Sequence, residues 1–290
     1  MARIAVIGLT VADVIVLPDS EPREATGGGT LFAARALADQ RGRPPAVATR
    51  CHAARLAAPI LPFCERLYLR LDETSFRSVL RYRPDGEREH ELAGLGSPWS
   101  ADDLEGLAPT VLRDATWVHA ATQGSRDFGP EALRVLARGG RHLVLDAQGP
   151  LREAKLGPLH LTGVLGADLL AHVQALKLSE EEALAAFGTL DPSEIAKRTG
   201  VAEVLVTLGA TGAQVAAGPD CGSVSSSPVT GVDPTGAGDS FLALYADGRA
   251  EGLSPLAAAD AACADVSAVL AARLAASAGS IGRGRPVSQS

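Results

Sequence analysis

The chain has 290 residues, 46% of them hydrophobic and 21% charged, with a formal net charge of −7. That length can bury one large core, or a core plus a small accessory element. The acidic balance argues against a nucleic-acid partner, and no run of about 18 apolar residues lacks a charge or a breaker, so no membrane span is expected.

RIAVIGL (3–9) reads as a buried strand. The apolar stretch that follows alternates like a strand and carries Asp13. No positively charged leader with a cleavage site is read there, and a cytoplasmic protein is expected. TGGGTLFAARALADQRG (26–42) reads as a glycine turn opening a helix. RLYLRL (66–71) and SFRSVLRY (75–82) alternate Arg or Ser with apolar residues, the pattern of strands with one wet face, and RPDGE (83–87) reads as a turn. Together with 14–25, the segment 66–92 is expected to lie outside the main sheet, as a flap over a site or as ordinary edge hairpins.

From residue 116 the pattern changes. TWVHAA (116–121), HLVLDAQ (142–148), GADLLAH (166–172) and EVLVTLGA (203–210) read as short apolar strands. GPEALRVLARGG (129–140) and EEEALAAFG (180–188) read as helices between them. Such alternation builds a parallel sheet covered on both faces. The last third is nearly all helix, and the tail GRGRPVSQS (282–290) is polar. Cys51, Cys64, Cys221 and Cys263 form no CxxC pair and are expected as free buried thiols. The six histidines show no metal-ligand spacing. His119 is expected as a satisfied core or strand-end histidine, and Trp117 as core. Trp99, in a Gly/Pro-rich segment, reads as a candidate lid or dimer contact. Arg77, Arg81, Arg83 and Arg88 read as a solvated strand face.

VDPTGAGDSF (232–241) sets Asp233 and Asp239 around a run of small residues at the start of the helical third. A Gly-rich loop at a helix N-terminus is an anion site, because unpaired N–H groups point outward and the helix dipole adds positive charge. Gly236 and Gly238 let the backbone turn, Ala237 does not obstruct it, and the three amides could converge on one phosphate. The only lysines are Lys155, Lys177 and Lys197, so this is no Walker loop, and GxGxxG is absent. Asp239 would repel a phosphate that merely bound. It makes sense as a base that takes a proton from a hydroxyl attacking that phosphate. The competing reading is a plain helix cap, with Asp239 compensating the dipole.

Four stretches together carry a resemblance. DPTGAGDSF (233–241) resembles the C-terminal signature of the ribokinase family, the PfkB carbohydrate kinases. TLGATGA (207–213) resembles the strand and turn that family sets against its nucleotide, LKLSEEEA (176–183) its Lys-x-Asn-x-x-Glu stretch, and Gly27–Gly29 its N-terminal double glycine. Asp13 sits where the family supplies an acidic substrate ligand. The resemblance spans roughly residues 3–282. It implies a Rossmann-like three-layer α/β/α sandwich with a small β lid, and transfer of the γ-phosphoryl group of ATP, with Mg²⁺, to a substrate hydroxyl. Asp239 would be the base, and Gly236, Ala237 and Gly238 the anion hole. Thr207, Gly209, Gly212, Ser179, Asp233 and Thr235 would lie beside the cofactor, and Glu182 would organise Mg²⁺ through waters. Asp233 in similar proteins helps hold a monovalent cation, which leaves open whether K⁺ is needed. Asp13, Gly28, Gly29, Gln148 and Arg152 would face the substrate. Lid strands in similar proteins pair between subunits, which suggests a homodimer.

The departures are informative. The family's Asn before Glu182 falls on Ser179, and its substrate-facing Asn falls on Phe32 or Ala33. These differences, with LDAQGPLR (145–152), lean toward the branch containing myo-inositol kinases. Two other readings stand beside a sugar or polyol kinase. One is a nucleoside kinase on the same fold, disfavoured by the few aromatics: two Trp, three Tyr and six Phe. The other is a catalytically silent nucleotide- or metabolite-binding regulator.

Overall fold

The computed structural model describes residues 3–18, 20–83 and 88–281. Short apolar runs become the strands of one nine-stranded sheet. Its order is β14 (Asp220–Ser225), β13 (Gly212–Ala217), β12 (Glu203–Thr207), β11 (Ala175–Ser179), β9 (His142–Asp146), β8 (Trp117–Ala121), β1 (Ile4–Leu9), β4 (Ala46–Cys51) and β5 (Arg66–Leu71). From β12 to β5 neighbours pair in parallel, and β13 and β14 close one edge as an antiparallel pair.

The central strands are apolar throughout because both faces are covered. Every residue of β1 and β4 is buried. Alternate residues of β1 enter different cores: Ala5, Ile7 and Leu9 one, Ile4 and Val6 the other. The first core is covered by α3 (Ala101–Glu105), α4 (Pro130–Ala137), α6 (Ala167–Leu170), α7 (Glu180–Phe187) and α8 (Pro192–Thr199). The second is covered by α1 (Gly29–Arg41), α9 (Ala237–Ala250) and α10 (Pro255–Ile281). Two short helices, α2 (Ala54–Ala57) and α5 (Gln148–Leu151), follow β4 and β9. The result is the expected three-layer α/β/α sandwich.

The lid is a second sheet, in the order β10 (Gly157–Pro158), β7 (Arg88–Gly94), β6 (Phe76–Tyr82), β2 (Val11–Val16) and β3 (Arg23–Gly27). Only Thr10 separates β1 from β2, so the chain passes directly from the core sheet into the lid. Thr10 is buried, and its hydroxyl bonds the Thr49 hydroxyl at 2.8 Å.

Four expectations are corrected. Residues 66–71 are not lid: they form β5, the edge of the main sheet, paired in parallel with β4. Their alternation reflects an edge strand's single covered face. GADLLAH is not a strand: Ala167–Leu170 is helical, with Gly166 as N-cap and Asp168 in the first turn, and the strand comes later at Ala175–Ser179. Trp99 is neither lid nor dimer surface. It is 1% exposed, and its Nε1 donates to the Gly8 carbonyl at 3.0 Å. The thiols are free, but Cys221 is exposed and Cys64 half-buried. Arg77, Arg81 and Arg83 are exposed as expected. Of the 83–87 turn, 84–87 lie outside the described residues, as does the 282–290 tail.

Pro255–Ala276 is apolar and long enough to cross a membrane by length and composition. Its Ala258, Ala259, Ala262 and Cys263 pack into the second core, and Asp265 pairs with Arg41 at 2.5 Å.

Candidate active site

The loops at the C-terminal ends of β1, β8 and β9 face the lid, the usual crevice of a parallel α/β sheet. A cavity of about 240 Å³ lies between them. Its lining includes Asp13, Phe76, Ser78 and His90 from the lid, Gln123 after β8, and Gln148 and Arg152 after β9. Gly28 and Phe32 at the start of α1, and Pro234, Thr235, Gly236 and Asp239 at the start of α9, close it.

Two glycine turns aim two helix N-termini at this space. Gly28 has φ 101° and caps α1, and Gly236 has φ 79° and caps α9, a backbone region that L side chains rarely adopt. The Gly236 turn also lies flat on the Phe32 ring: a Cβ there would stand 2.2 Å from it. Asp239 lies in the first turn of α9, and a Cβ on Gly29 would come within 2.4 Å of its Oδ1. Nothing larger than glycine fits between the two helices at either place.

Asp239 is 9% exposed, and its Oδ1 has no hydrogen-bond partner among the described residues. Burial, reinforced by the Asp146 charge, pushes its carboxyl up to about 7, against the opposing charges of Lys177 and Arg152. A cation lies directly beneath the loop. Lys177 stands in register with Asp146 across β11 and β9, and its Nζ donates to the two Asp146 oxygens at 3.1 and 2.9 Å. A Cβ on Gly238 would meet Lys177 Nζ at 2.8 Å. Burial alone would lower the Lys177 pKa, but the charges of Asp146, Glu182 and Asp239 outweigh it and raise it. The ammonium is therefore held charged against the back of the glycine loop.

The polar rim is tied to the same scaffold. Ser78 donates to Asp13 Oδ1. With its amide oxygen facing Arg152, Gln148 accepts from that guanidinium at 3.1 and 3.3 Å. Arg152 also donates to the Gln123 carbonyl at 3.4 Å. Asp127 accepts from the Gln123 and Gly124 amides at 2.5 and 3.0 Å and fixes that turn. Burial pushes its carboxyl up to about 6.

Glu182 forms a capping box with Ser179 at the start of α7: Ser179 N–H donates to Glu182 Oε2 at 2.8 Å, and Glu182 N–H to the Ser179 hydroxyl at 3.3 Å. It also lines a space of about 270 Å³ shared with Glu181, His90 and Arg152. Burial pushes its carboxyl up. No group of three or more His, Cys, Asp or Glu among the described residues forms a metal cage. Glu182, in its capping box beside this space, is the carboxylate placed to meet a hard cation through water. Asp233 does not line this cavity; its Oδ1 accepts from the Thr235 N–H and hydroxyl at 3.0 and 2.6 Å. Thr207 and Gly209 stand at the end of β12, where Thr207 donates to the Leu178 carbonyl at 3.2 Å. Gly212 has a packing reason of its own, since a Cβ would stand 2.0 Å from the Val224 carbonyl.

This arrangement was compared with known proteins. Residues 160–280 match the pfkB family of carbohydrate kinases. A pyrophosphate-dependent kinase of the ribokinase family, solved with a pyrophosphate analog and myo-inositol, superposes with a TM-score of 0.77 over 92% of this chain and 95% of its own, at 23% identity. Arabidopsis thaliana ribokinase, solved with ribose and ATP, superposes with a TM-score of 0.67 over 91% and 92%, at 22% identity. The fold is ribokinase-like. Inositol 3-kinase of Oryza sativa subsp. japonica is 40% identical over 162 residues, 53% of this chain and 39% of the relative. That of Zea mays is 37% identical over 158 residues, 53% and 40%. The chain thus aligns with about two fifths of the length of these curated relatives.

On this ribokinase-like frame Asp13, Gly28, Gln148, Arg152, Thr235, Gly236 and Asp239 meet at one cavity. Of the two positions matched to the family's substrate-facing Asn, Phe32 faces the cavity and Ala33 is buried in the second core. Sequence reasoning did not single out Lys177, Asp146, Ser78, His90 or Gln123. Lys177 had a signal: it is the lysine of the stretch 176–183 matched to the family's Lys-x-Asn-x-x-Glu. His119 is not satisfied. It is fully buried beside the Lys177–Asp146 pair, neither ring nitrogen has a hydrogen-bond partner among the described residues, and burial lowers its pKa to about 4.

Proposed function

We propose that this protein is a small-molecule kinase that transfers a phosphoryl group to a hydroxyl of a polyol or sugar, with myo-inositol the favoured acceptor. The observation that carries it is the buried, partnerless Oδ1 of Asp239, set beside a glycine loop backed by the Lys177 ammonium and facing a cavity with a polar rim. Asp239 would accept the proton of the attacking hydroxyl. The peptides of Gly236, Ala237 and Gly238, with Lys177 behind them, would take up the charge of the transferring group. Asp13, Ser78, Gln148 and Arg152 would hold the other hydroxyls. The inositol 3-kinase relatives and the neighbour solved with myo-inositol support this acceptor.

ATP is the proposed donor, with Thr207, Gly209 and Ser179 alongside it. Mg²⁺ on the donor phosphates would neutralise their charge, and Glu182 would hold it through water. Pyrophosphate is a second reading for the donor, motivated by the pyrophosphate-dependent neighbours. The test is a phosphorylation screen of polyols, sugars and nucleosides against both donors, with Asp239→Asn as control. Transfer to inositol that is lost in the variant is the expected result. Preference for a nucleoside, or wild-type turnover by Asp239→Asn, would overturn the acceptor or the base.

A further inference from the structure

The peptide between Thr235 and Gly236 is the first of the anion loop. Its carbonyl end is not left to solvent: Thr235 O accepts from Nη1 of Arg273 at 2.7 Å. Arg273 comes from α10, far along the chain, and its guanidinium lies 5.5 Å from the centroid of the Phe32 ring. Phe32 in turn carries the Gly236 turn on its face. On the other side, Asp233 holds the Thr235 N–H and hydroxyl, and its charge acts on Arg273. Burial and the neighbouring Arg35 pull the Arg273 pKa down, but an arginine stays charged at any working pH.

The resemblance to the family raised the question of a monovalent cation beside Asp233. The residues present do not fit one. The Thr235 carbonyl already accepts from a guanidinium, and the Asp233 charge acts on that same cation, so a potassium ion beside them would compete with a like charge. We propose that Arg273 is a positioning residue and a built-in cation for the anion loop. It fixes the Thr235–Gly236 peptide through its oxygen. By drawing electron density toward that oxygen it makes the Gly236 N–H a stronger donor, as hydrogen bonds polarise one another along a peptide. The loop then works without a monovalent cation. This rests on the loop receiving the donor's phosphates, as proposed above.

The first test is turnover with K⁺, Na⁺ or tetramethylammonium as the sole monovalent cation; rates within about twofold are expected, below the effect of any single charge-assisted donor. Stimulation by K⁺ of about tenfold or more, the size of one such interaction, overturns the proposal. Arg273→Met is expected to lower kcat about 10- to 100-fold with acceptor KM little changed, less than the roughly 100- to 1000-fold of a lost oxyanion donor because Arg273 acts through the peptide. Arg273→Lys should keep part of the activity. Added guanidinium ion should restore part of the Arg273→Met rate but not raise that of wild type, which a purely structural loss would not do. Matched melting temperatures confirm that each variant is folded. A binding arm needs no turnover: calorimetry with inorganic pyrophosphate should show about tenfold weaker binding to Arg273→Met, the same order as one charge-assisted hydrogen bond. Equal binding by both proteins sinks the role of Arg273 and leaves the kinase reading standing. No binding by wild type sinks the anion loop and the inference with it.

Discussion

Two buried polar networks sit at opposite ends of the same sheet, and they differ in one respect. At the start of β12, Glu203 is 3% exposed and every group around it is matched. It accepts from the Tyr245 hydroxyl at 2.5 Å, from Arg249 at 2.7 Å and from Gln174 at 3.1 Å. Burial and the Glu203 charge keep the Tyr245 hydroxyl protonated. At the C-terminal strand ends, Lys177 and Asp146 are matched, but Asp239 beside them keeps an oxygen with no partner, and neither nitrogen of the nearby His119 ring has one. A buried polar group without a partner costs free energy, so a network that serves only stability closes itself. Under the proposed function, the open valence on Asp239 would take a substrate hydroxyl.

Four experiments break or sharpen this contrast. The largest effect is expected from Asp239→Asn: kcat should fall about a thousandfold, within the range of a lost general base, while the melting temperature holds or rises. In the wild type the base must be ionised, so kcat/KM should climb with pH through a midpoint near 7. A flat pH–rate profile between 5 and 9, on the scale set by that midpoint, would count against Asp239. The next effect concerns the cation behind the loop. Lys177→Met alone would bury an unmatched Asp146, so the informative variant adds Asp146→Asn. That double variant should fold and still lose about 100-fold in turnover; unchanged kcat would make the pair merely structural.

The third experiment concerns stability. His119 is neutral in the fold, with a pKa near 4 against an ordinary 6.5, so its contribution is complete above 6.5. As pH falls from 6.5 toward 4 the unfolded state gains a proton that the fold refuses, so this one group lowers stability on the order of 3 kcal/mol, opposed by the raised carboxyls of Asp239 and Asp127. Urea titrations across that range should show this limb flattened in His119→Phe. The smallest effects belong to the closed network. Tyr245→Phe should cost about 1 kcal/mol, and Glu203→Gln about 2 kcal/mol, with kcat untouched. A loss of turnover in either would erase the distinction between the two ends.

Much of the architecture was legible along the chain. The strand–helix alternation after residue 116 specified an α/β sandwich, and the loop at 232–241 a glycine turn opening a helix, because both signals are local: apolar period, glycine freedom and helix-end charge. GADLLAH was misread locally, since a capping Gly166 and Asp168 open a helical turn there, but the other misreadings were matters of neighbours. RLYLRL has the alternation of a lid strand and of an edge strand, and only its pairing with β4 separates the two. Trp99 sits among Gly, Pro and Ser, yet the Gly8 carbonyl and the cores around it bury it. His119 shows only an apolar setting in sequence; that no partner reaches its ring follows from what packs around β8.

By itself the sequence determined which elements form and that a glycine loop with an acidic end would open α9. Propensity, periodicity and backbone freedom are properties of a few consecutive residues. Only the tertiary structure decided that Lys177 of β11 meets Asp146 of β9 behind Gly238, that Phe32 of α1 supports Gly236, and that Arg273 of α10 grips Thr235. Those contacts join residues from five parts of the chain. The electrostatic setting that burial, Asp146 and Lys177 impose on Asp239 arises only when the fold excludes water from them together.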